Sequence, residues 1–591
     1  MKAEEEIIKN LSASAYNKKG VAAPSFLARL KKKTAKKYKS RMVTHAQLLK
    51  VYHNLVKNKT IAENKNLENS LRKRAVRTLS GVAVVTVLTK PYPCPGECIF
   101  CPKEPGMPKS YLKNEPAANR AWMNKFDPYS QVAGRLKALA DNGHPIDKIE
   151  LIILGGTWSS YPENYQYWFV KECFRAANNP STPLRYAQGI LPEQTTKGSA
   201  SKAKLHRSLK FEQRKNETAK HRIIGLTLET RPDHIDMDEI KRMRDLGCTR
   251  VELGVQSVYD DILKKSRRGH TISQTVEATK LLKDAGFKIN YHMMLNLPGA
   301  TPLRDRQMFK ELFFNQDFQP DLLKIYPCAV LKSADLYDLW RQKKYRPYTE
   351  KQLIDLLLKI KQVIPPYVRI QRIIRDIPAG DIVAGSKTSN LRQLINNSGR
   401  AQCQCVRCRE TRLPLLPKDK MKLFRQDYPA SGGKEIFLSF ASPDQKKLYA
   451  LLRLRLPKYL FPEQAPQLRG ASRGIKAAFD YATSSLRSGN NILPVLQNAA
   501  LIRELHTYGQ LVPLPSTSFD YAQGKSLGVK KTTSGETQHT GLGKQLMAEA
   551  ERIVKNETSL KKIAVISGVG AREYYKKIGY RLKDEYMVKN I

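Results

Sequence analysis

Lys90-Pro-Tyr-Pro-Cys94-Pro-Gly-Glu-Cys98-Ile-Phe-Cys101-Pro102 follows directly on an apolar, strand-like run, Val82–Thr89. Its C-x3-C-x2-C spacing offers three thiolates to three irons of a [4Fe-4S] cluster and leaves the fourth iron without a protein ligand. An open iron of that kind can chelate S-adenosylmethionine, whose reductive cleavage gives a 5'-deoxyadenosyl radical; the cofactor supplies the hard chemistry and the protein aims it. The plainer reading is a zinc knuckle or three buried thiols, but no fourth zinc ligand stands nearby at finger spacing.

Working outward, a strand–loop–helix pattern repeats from about residue 78 to 330. The strands expected are Val82–Thr89, Ile149–Gly155, Ile223–Glu229, Val251–Gln256, Ile289–Leu295 and Leu322–Tyr326, separated by amphipathic stretches such as Gln131–Asn142 and Ile272–Ala285. Alternating strands and helices imply a parallel sheet with right-handed crossovers, here a partial (β/α)6 barrel with its site at the C-terminal strand ends. Those ends carry Gly155-Gly156-Thr157, Glu229-Thr-Arg231-Pro-Asp233, Gln256-Ser257 and Lys324-Ile-Tyr326-Pro327. A Lys/Arg-rich insertion at about 185–222 reads as an exposed, mobile loop.

Residues 434–591 read as a further α/β unit, with strands at Ile436–Ser439, Leu448–Leu456 and Ala499–Leu514. Gln538-His-Thr-Gly541-Leu542-Gly543 then opens an amphipathic helix to about Lys555, so its backbone N–H groups and dipole suit a pyrophosphate. A strand at Lys562–Ser567 and the run Gly568-Val-Gly570-Ala-Arg-Glu-Tyr574-Tyr575 follow. That ordering resembles the coenzyme A-binding half of a GNAT-type acetyltransferase.

Between the two units, Cys403-Gln-Cys405-Val-Arg-Cys408 is tight enough to share one metal, with zinc the default for structural thiolates; three reduced thiols on a loop are the alternative. The expected division is a basic N-terminal region, 1–75; the barrel, 76–385; a zinc-binding linker, 386–433; and the acetyltransferase unit, 434–591.

The chain has 591 residues, too many for one core, and nine cysteines, six of them in two clusters of three. That is metal-site usage, which suits a reducing cytoplasm better than an extracellular disulfide framework. No apolar run approaches the roughly 18 residues of a membrane span, and Met-Lys-Ala-Glu-Glu-Glu lacks the apolar core of a signal peptide. Lys and Arg total 103 against 54 acids, a formal +49, which points to a polyanion partner and above all to nucleic acid. Lys31, Lys32, Lys33, Lys36, Lys37, Lys39 and Arg41 crowd one N-terminal stretch and Arg72, Lys73, Arg74 and Arg77 another, as in an RNA-binding arm that orders on binding.

Taken together, the chain resembles the catalytic subunit of Elongator, the radical-SAM/GNAT acetyltransferase family acting on tRNA uridine 34. The resemblance covers roughly 75–591. It rests on Arg77-Thr-Leu-Ser-Gly-Val-Ala, the Lys90–Pro102 loop, Asn216–Asp233, Arg250-Val-Glu-Leu-Gly-Val-Gln-Ser257, Arg268-Gly-His-Thr271, Arg503-Glu-Leu-His506 and Lys562–Gly570. Leu295-Asn296 before Leu-Pro-Gly, Thr507 and the basic insertion depart from the family pattern.

The resemblance implies a reaction in which the deoxyadenosyl radical takes hydrogen from the methyl group of acetyl-CoA. The product radical adds to C5 of the wobble uridine, and thioester hydrolysis leaves 5-carboxymethyluridine. It also implies roles. Cys94, Cys98 and Cys101 hold the cluster. Gly155, Gly156, Glu229, Arg231, Glu252 and Gln256 contact S-adenosylmethionine, the four side chains having barrel-lining salt bridges as their plainer reading. Lys148, Glu504, Leu505, His506, Thr507, Gly541, Leu542, Gly543 and Tyr574 contact acetyl-CoA, with Tyr574 and Lys148 as the catalytic residues; Tyr574 stands near the thioester sulfur as proton donor or positioner, and Lys148 taken alone reads as an ordinary surface lysine. Tyr575 is the core alternative to Tyr574. The expected partner is the tRNA anticodon loop, with a homodimer or Elongator-like partner subunits left open and no membrane. The rivals are a protein lysine acetyltransferase with a structural cluster, and an RNA-binding scaffold with decayed catalytic domains, against which the intact cysteines and glycine turn speak.

Overall fold

The structure is a computed structural model that describes residues 2–13, 24–72, 81–180, 201–399, 402–411, 420–457, 493–509 and 541–591. Four helices come first: Lys2–Ala13, Pro24–Lys37, His45–Lys57 and Lys65–Leu71. Their apolar faces close a small core of Ile7, Ile8, Leu11, Leu27, Leu48, Leu49, Tyr52 and Leu67. A capping box of Thr44 and Gln47 starts the third by satisfying orphan backbone groups at that end. The basic stretch expected to order only on RNA binding is therefore largely a packed helix: Lys31 and Thr34 are buried.

Strands β1 (Val82–Leu88), β2 (Lys148–Leu154), β3 (Arg222–Thr230), β4 (Arg250–Gln256), β5 (Lys288–Leu295) and β6 (Leu322–Pro327) occur where the strand–loop–helix repeat places them. The short β7 (Val330–Leu331), β8 (Arg369–Arg372) and β9 (Ile382–Ala384) follow. The sheet runs β1-β2-β3-β4-β5-β6-β8 with every neighbour parallel. β1 and β8 are not paired, so the barrel stays open along one side. A seventh strand, β8, thus extends the expected six.

Alternation sorts the two faces. Ala83, Val85, Val87, Ile149, Leu151 and Ile153 are buried against the outer helices, while Val84, Thr86, Glu150, Ile152 and Leu154 line the lumen. The insertion read as a loop is in its second half a helix, Lys202–Asn216. It buries Leu205 and Leu209 in the same core as Phe169, Val170 and Cys173 of the helix Glu163–Asn178; residues 185–200 lie outside the described ones.

The second sheet contains β10 (Lys422–Ala430), β11 (Gly433–Ala441), β12 (Leu448–Leu456), β13 (Ala499–Thr507), β14 (Lys562–Val565), β15 (Arg581–Lys583) and β16 (Tyr586–Asn590), in the order β10-β11-β12-β13-β14-β16-β15. Its first strand lies within the stretch expected as linker. β13 ends at Thr507, short of the expected Leu514; residues 510–514 and 538–540 fall outside the described ones. Only β13 and β14 pair in parallel, and they do so from Ala499↔Lys562 to Ile502↔Val565. β13 continues to Thr507 against β12 alone. The two strands therefore splay, and the edge of Arg503–Thr507 that faces away from β12 is free of ladder bonds.

The two sheets share one core, in which Phe437, Leu448, Ala564, Val569 and Tyr586 join the barrel residues. The Tyr586 hydroxyl donates to the Ala285 carbonyl at 2.7 Å. Among the described residues no helix is long and apolar enough to cross a membrane.

Candidate active site: cluster loop, lumen and acyl cradle

The loop after β1 places Cys94, Cys98 and Cys101 on the wall of a cavity of about 1170 Å³. Cys98 is 3% exposed. Its Sγ lies 3.4 Å from Arg268 Nη1, and Cys94 Sγ lies 3.6 Å from Thr157 Oγ1. A hydrogen bond from the Cys101 thiol, reinforced by the charges of Arg268 and Arg231, overcomes burial and lowers Cys98 to about 5. The same pairing and burial push Cys101 well up. Thiolate character next to two guanidiniums suits an anionic iron–sulfur cluster.

Two buried polar atoms on this wall lack partners, Arg231 Nη1 and Gln256 Oε1. Arg231 pairs with Asp233 through Nε (2.9 Å) and Nη2 (2.7 Å), and its free nitrogen lies over Gly96, where an added Cβ would meet it at 2.2 Å. Gln256 has φ of +69°, a left-handed conformation that costs a non-glycine residue about 1–3 kcal/mol and recurs at ligand sites. Gly155 and Gly156 have φ of +140° and +100°; a Cβ on Gly155 would strike Thr89 Oγ1 at 1.8 Å. The glycines thus let the backbone turn at the strand end, and Gly156 faces the cavity. These features fit S-adenosylmethionine beside a cluster.

Glu229 also lines the cavity. It accepts from the Tyr111 hydroxyl at 2.6 Å and sits 3.4 Å from His292 Nδ1. Glu252 is placed differently: it is fully buried and off the cavity wall. Its carboxylate is taken up by His292 (2.8 Å), Asn290 (3.2 Å) and Lys324. Burial opposes its charge, but Lys324, His292 and Arg250 hold its pKa well below the usual range. It orients barrel side chains and does not reach the cavity space. Arg268, Tyr111 and His292 were not assigned from sequence. Arg268 stood in a family stretch without a role; Tyr111 and His292 had no motif.

At the other end the cavity is floored by β13: Glu504, Leu505, His506 and, just beyond, Tyr508. Glu504 meets Arg453 at 2.8 Å and Lys288 at 3.7 Å, and Tyr508 accepts from Arg369 at 3.1 Å. Burial lowers His506 to about 4, so it is neutral at pH 7. Leu505 and Thr507 approach Gly543, where a Cβ would come within 3.8 Å of Leu505 Cδ2, 3.9 Å of Thr507 Cγ2 and 3.1 Å of Tyr574 Oη. Gly541, with φ of +85°, caps the helix Leu542–Glu557. Tyr574 Oη is buried without a partner, and burial raises its pKa. Tyr575 packs in the core. Gly541, Leu542, Gly543, Leu505, Thr507 and Tyr574 thus surround the splay between β13 and β14, an open cradle with a helix N-terminus at one side.

Lys148 stands at the foot of β2, the end opposite the cluster loop, in the same alternation as the lumen residues Glu150 and Ile152 but off the cavity wall. Burial lowers its pKa.

Among the described residues, the one set of three ligand atoms gathered within 4.8 Å is Cys403, Cys405 and Cys408. The three cluster-loop sulfurs do not all meet that distance. The convergent trio fits a single ion.

The radical SAM superfamily profile matches residues 92–312, the radical SAM C-terminal domain 320–400 and the acetyltransferase (GNAT) domain 532–590. The chain is 41% identical to the tRNA uridine(34) acetyltransferase of Methanocaldococcus infernus, with 91% of each chain covered. It is 37% identical to Elongator complex protein 3 of Schizosaccharomyces pombe, covering 89% of this chain and 87% of that one. The solved structure of the archaeal M. infernus Elp3 lacking residues 1–46 superposes with a TM-score of 0.65 at 38% identity, covering 87% of this chain and all of that one. A radical SAM barrel and an acetyltransferase (GNAT) domain on one polypeptide, with these relatives covering 89% and 91% of it, make the chain a member of the tRNA uridine(34) acetyltransferase family that includes the Elongator catalytic subunit.

Proposed function

We propose that the chain converts uridine 34 of tRNA to its 5-carboxymethyl derivative, using acetyl-CoA as the carbon source and S-adenosylmethionine as the radical source. The observation that carries this reading is the continuity of one cavity from Cys94, Cys98 and Cys101 to Glu504 and His506 of β13. A plain acetyltransferase has no use for a lumen joining its acyl site to such a loop. The cluster, when bound with S-adenosylmethionine, supplies a carbon radical able to take hydrogen from an unactivated methyl group.

The protein's own part is placement. Cys94, Cys98 and Cys101 hold the cluster, while Arg231 and Arg268 balance its charge. Gly156, Glu229, Arg231 and Gln256 border the S-adenosylmethionine space. The bare edge of Arg503–Thr507 offers backbone groups to the pantetheine amides, and Gly541–Gly543 meets the pyrophosphate with a helix N-terminus. Tyr574 Oη would give a proton to the departing thiolate when water cleaves the thioester, and neutral His506 borders the path between the two ends; Lys148, at the foot of β2, would contact acetyl-CoA from beyond the cavity wall. Cys403, Cys405 and Cys408 hold zinc and brace the connection between the sheets. The anticodon loop is the RNA element presented, since its unstacked bases can be splayed out and read. The cytoplasm, where thiols stay reduced, is the expected compartment.

Nucleoside mass spectrometry tests this. tRNA incubated anaerobically with the reduced, purified chain, acetyl-CoA and S-adenosylmethionine should yield carboxymethyluridine, without added partner subunits. Acetylation of peptide lysine with no modified nucleoside would replace this reading by the lysine acetyltransferase.

A further inference from the structure

We propose that the outer face of the helix Lys202–Asn216 is a docking surface for an RNA strand, with one unstacked base lying on Phe211. The proposal rests on the reading of tRNA as substrate. Lys204, Arg207, Phe211 and Arg214 recur at spacings of three and four and so form one stripe along the helix; all are exposed, Phe211 at 65%. Leu205, Leu209, Gln213 and Asn216 occupy the opposite, buried face. A single exposed phenylalanine is ordinary. What sets this one apart is its company: among the described residues no carboxylate pairs with Lys204, Arg207 or Arg214. The cations that do pair lie off the stripe, Lys202 with Glu163 and Lys210 with Asp245 and Glu585. The helix's one acid, Glu212, is turned to Asn178 at 2.7 Å. Unpaired cations flanking an accessible ring match a sugar–phosphate chain with a base to stack, and the chain's +49 favours RNA over an acidic protein.

The helix is also anchored in a way that suits this task. Its first residue contacts Glu163, just beyond the glycine turn after β2, and its far end reaches the second sheet. There Lys210 Nζ lies 2.6 Å from Glu585. Glu217, the next residue after the helix, accepts from Arg572 at 3.1 Å and Lys576 at 2.8 Å. Those two residues bound the short helix that carries Tyr574. An RNA held on the stripe is thereby fixed relative to both the barrel and the acyl cradle.

tRNA binding measured across roughly 50–200 mM salt separates the contributions. Arg207→Ala and Arg214→Ala should each weaken binding and reduce the slope of log affinity against log salt by about one. Phe211→Ala should weaken binding roughly 5- to 150-fold with the slope unchanged, as loss of one stacked base requires, and Phe211→Tyr should restore it. Circular dichroism and iron content check that the variants remain folded. Wild-type affinity and slope in the arginine variants, or wild-type affinity in Phe211→Ala, overturns the proposal even if the native chain modifies tRNA. Absence of any tRNA affinity in the native chain overturns the underlying reading instead.

Discussion

Arg503 and Asp321 meet between the two sheets with neither side chain exposed: Nη2 lies 2.5 Å from Oδ1 and Nη1 2.9 Å from Oδ2. Arg503 also bonds Glu435 at 3.1 Å, and Asp321 accepts from the Ile289 amide at 2.9 Å. The pair seats β13, with its acyl-site residues, on the foot of the barrel. Removing one partner of a buried pair strands the other charge and costs about 3–5 kcal/mol. Arg503→Ala should therefore lose stability of that order in urea unfolding and impair acetyl-CoA binding. A loss below about 1 kcal/mol would show that the pair does not hold the sheets together.

Cys98 is the most enclosed of the cluster thiols and the one that Arg268 touches. Cys98→Ser should abolish the brown absorbance and the roughly four irons expected per chain after anaerobic reconstitution, while far-ultraviolet dichroism stays native. Arg268→Gln should retain iron but shift the cluster's reduction potential, because charge and hydrogen bonds near the sulfurs set it. Unchanged iron in Cys98→Ser refutes the ligand assignment.

The strands β1 to β6 were legible because each is an apolar run set between loop and helix signals, as Val82–Leu88 is, which is how strands of a covered parallel sheet read. β8 was not: Arg-Ile-Gln-Arg is short, and three of its four side chains are polar. β10 escaped for a similar reason, being an edge strand whose residues up to Asp427 are largely exposed. The helix Lys202–Asn216 looked like a loop because two leucines suffice to anchor it while cations fill its outer face. In the site, the cysteine triplet and the glycine turns were legible because spacing alone encodes them. Tyr111 reaches this wall from the loop after β1, His292 from within β5 and Arg268 from the loop ahead of the helix Ile272–Asp284, and only the closing of the sheet brings them together. Glu252 shows the converse: an acid expected at a strand end lies near the start of β4, where the barrel's own cations consume it.

Cys403, Cys405 and Cys408 converge on a segment whose backbone joins the barrel, Val406 N donating to Val368 O at 2.9 Å. Thiolate–zinc bonds there would brace a short segment with little apolar core. Cys405→Ser should lower zinc content and thermal stability while iron content is unchanged. Full zinc occupancy in that variant contradicts the assignment.

Asp305 is 2% exposed and pins the turn after β5: one carboxylate oxygen accepts both the Asn296 amide and the Tyr348 hydroxyl at 2.8 Å. Burial outweighs these bonds and raises the carboxyl to about 6, above an unfolded value near 3.9. The sign follows. The native state favours the protonated form, so Asp305's contribution to stability is complete below about pH 4 and declines as pH rises through 6, by about 2–3 kcal/mol. Asparagine keeps an acceptor oxygen without the charge. Asp305→Asn should thus gain stability relative to the native chain at pH 8 and show little difference at pH 4.5. A variant less stable at both values would mean that the ionised carboxylate is needed.

Gly543 and Tyr574 stand at the proposed acyl end of the site. With no side chain, Gly543 leaves the helix N-terminus open, and a Cβ there would crowd Tyr574 Oη at 3.1 Å. Gly543→Ala should displace the tyrosine or narrow the cradle and raise the KM for acetyl-CoA. Gly541→Glu puts bulk and negative charge where the proposal seats the pyrophosphate, at a position whose φ of +85° already disfavours a side chain, and should eliminate turnover. Tyr574→Phe is the discriminating change. It keeps the ring and removes only the buried, unpartnered hydroxyl. If that hydroxyl delivers the proton to the departing thiolate, tRNA-dependent thioester cleavage should slow by roughly 100-fold or more. The KM for acetyl-CoA, iron content and 5'-deoxyadenosine release should stay near native. A full cleavage rate in Tyr574→Phe would assign the proton to water or to another side chain and leave Tyr574 a packing role. A matching loss of acetyl-CoA affinity would make the hydroxyl a binding contact.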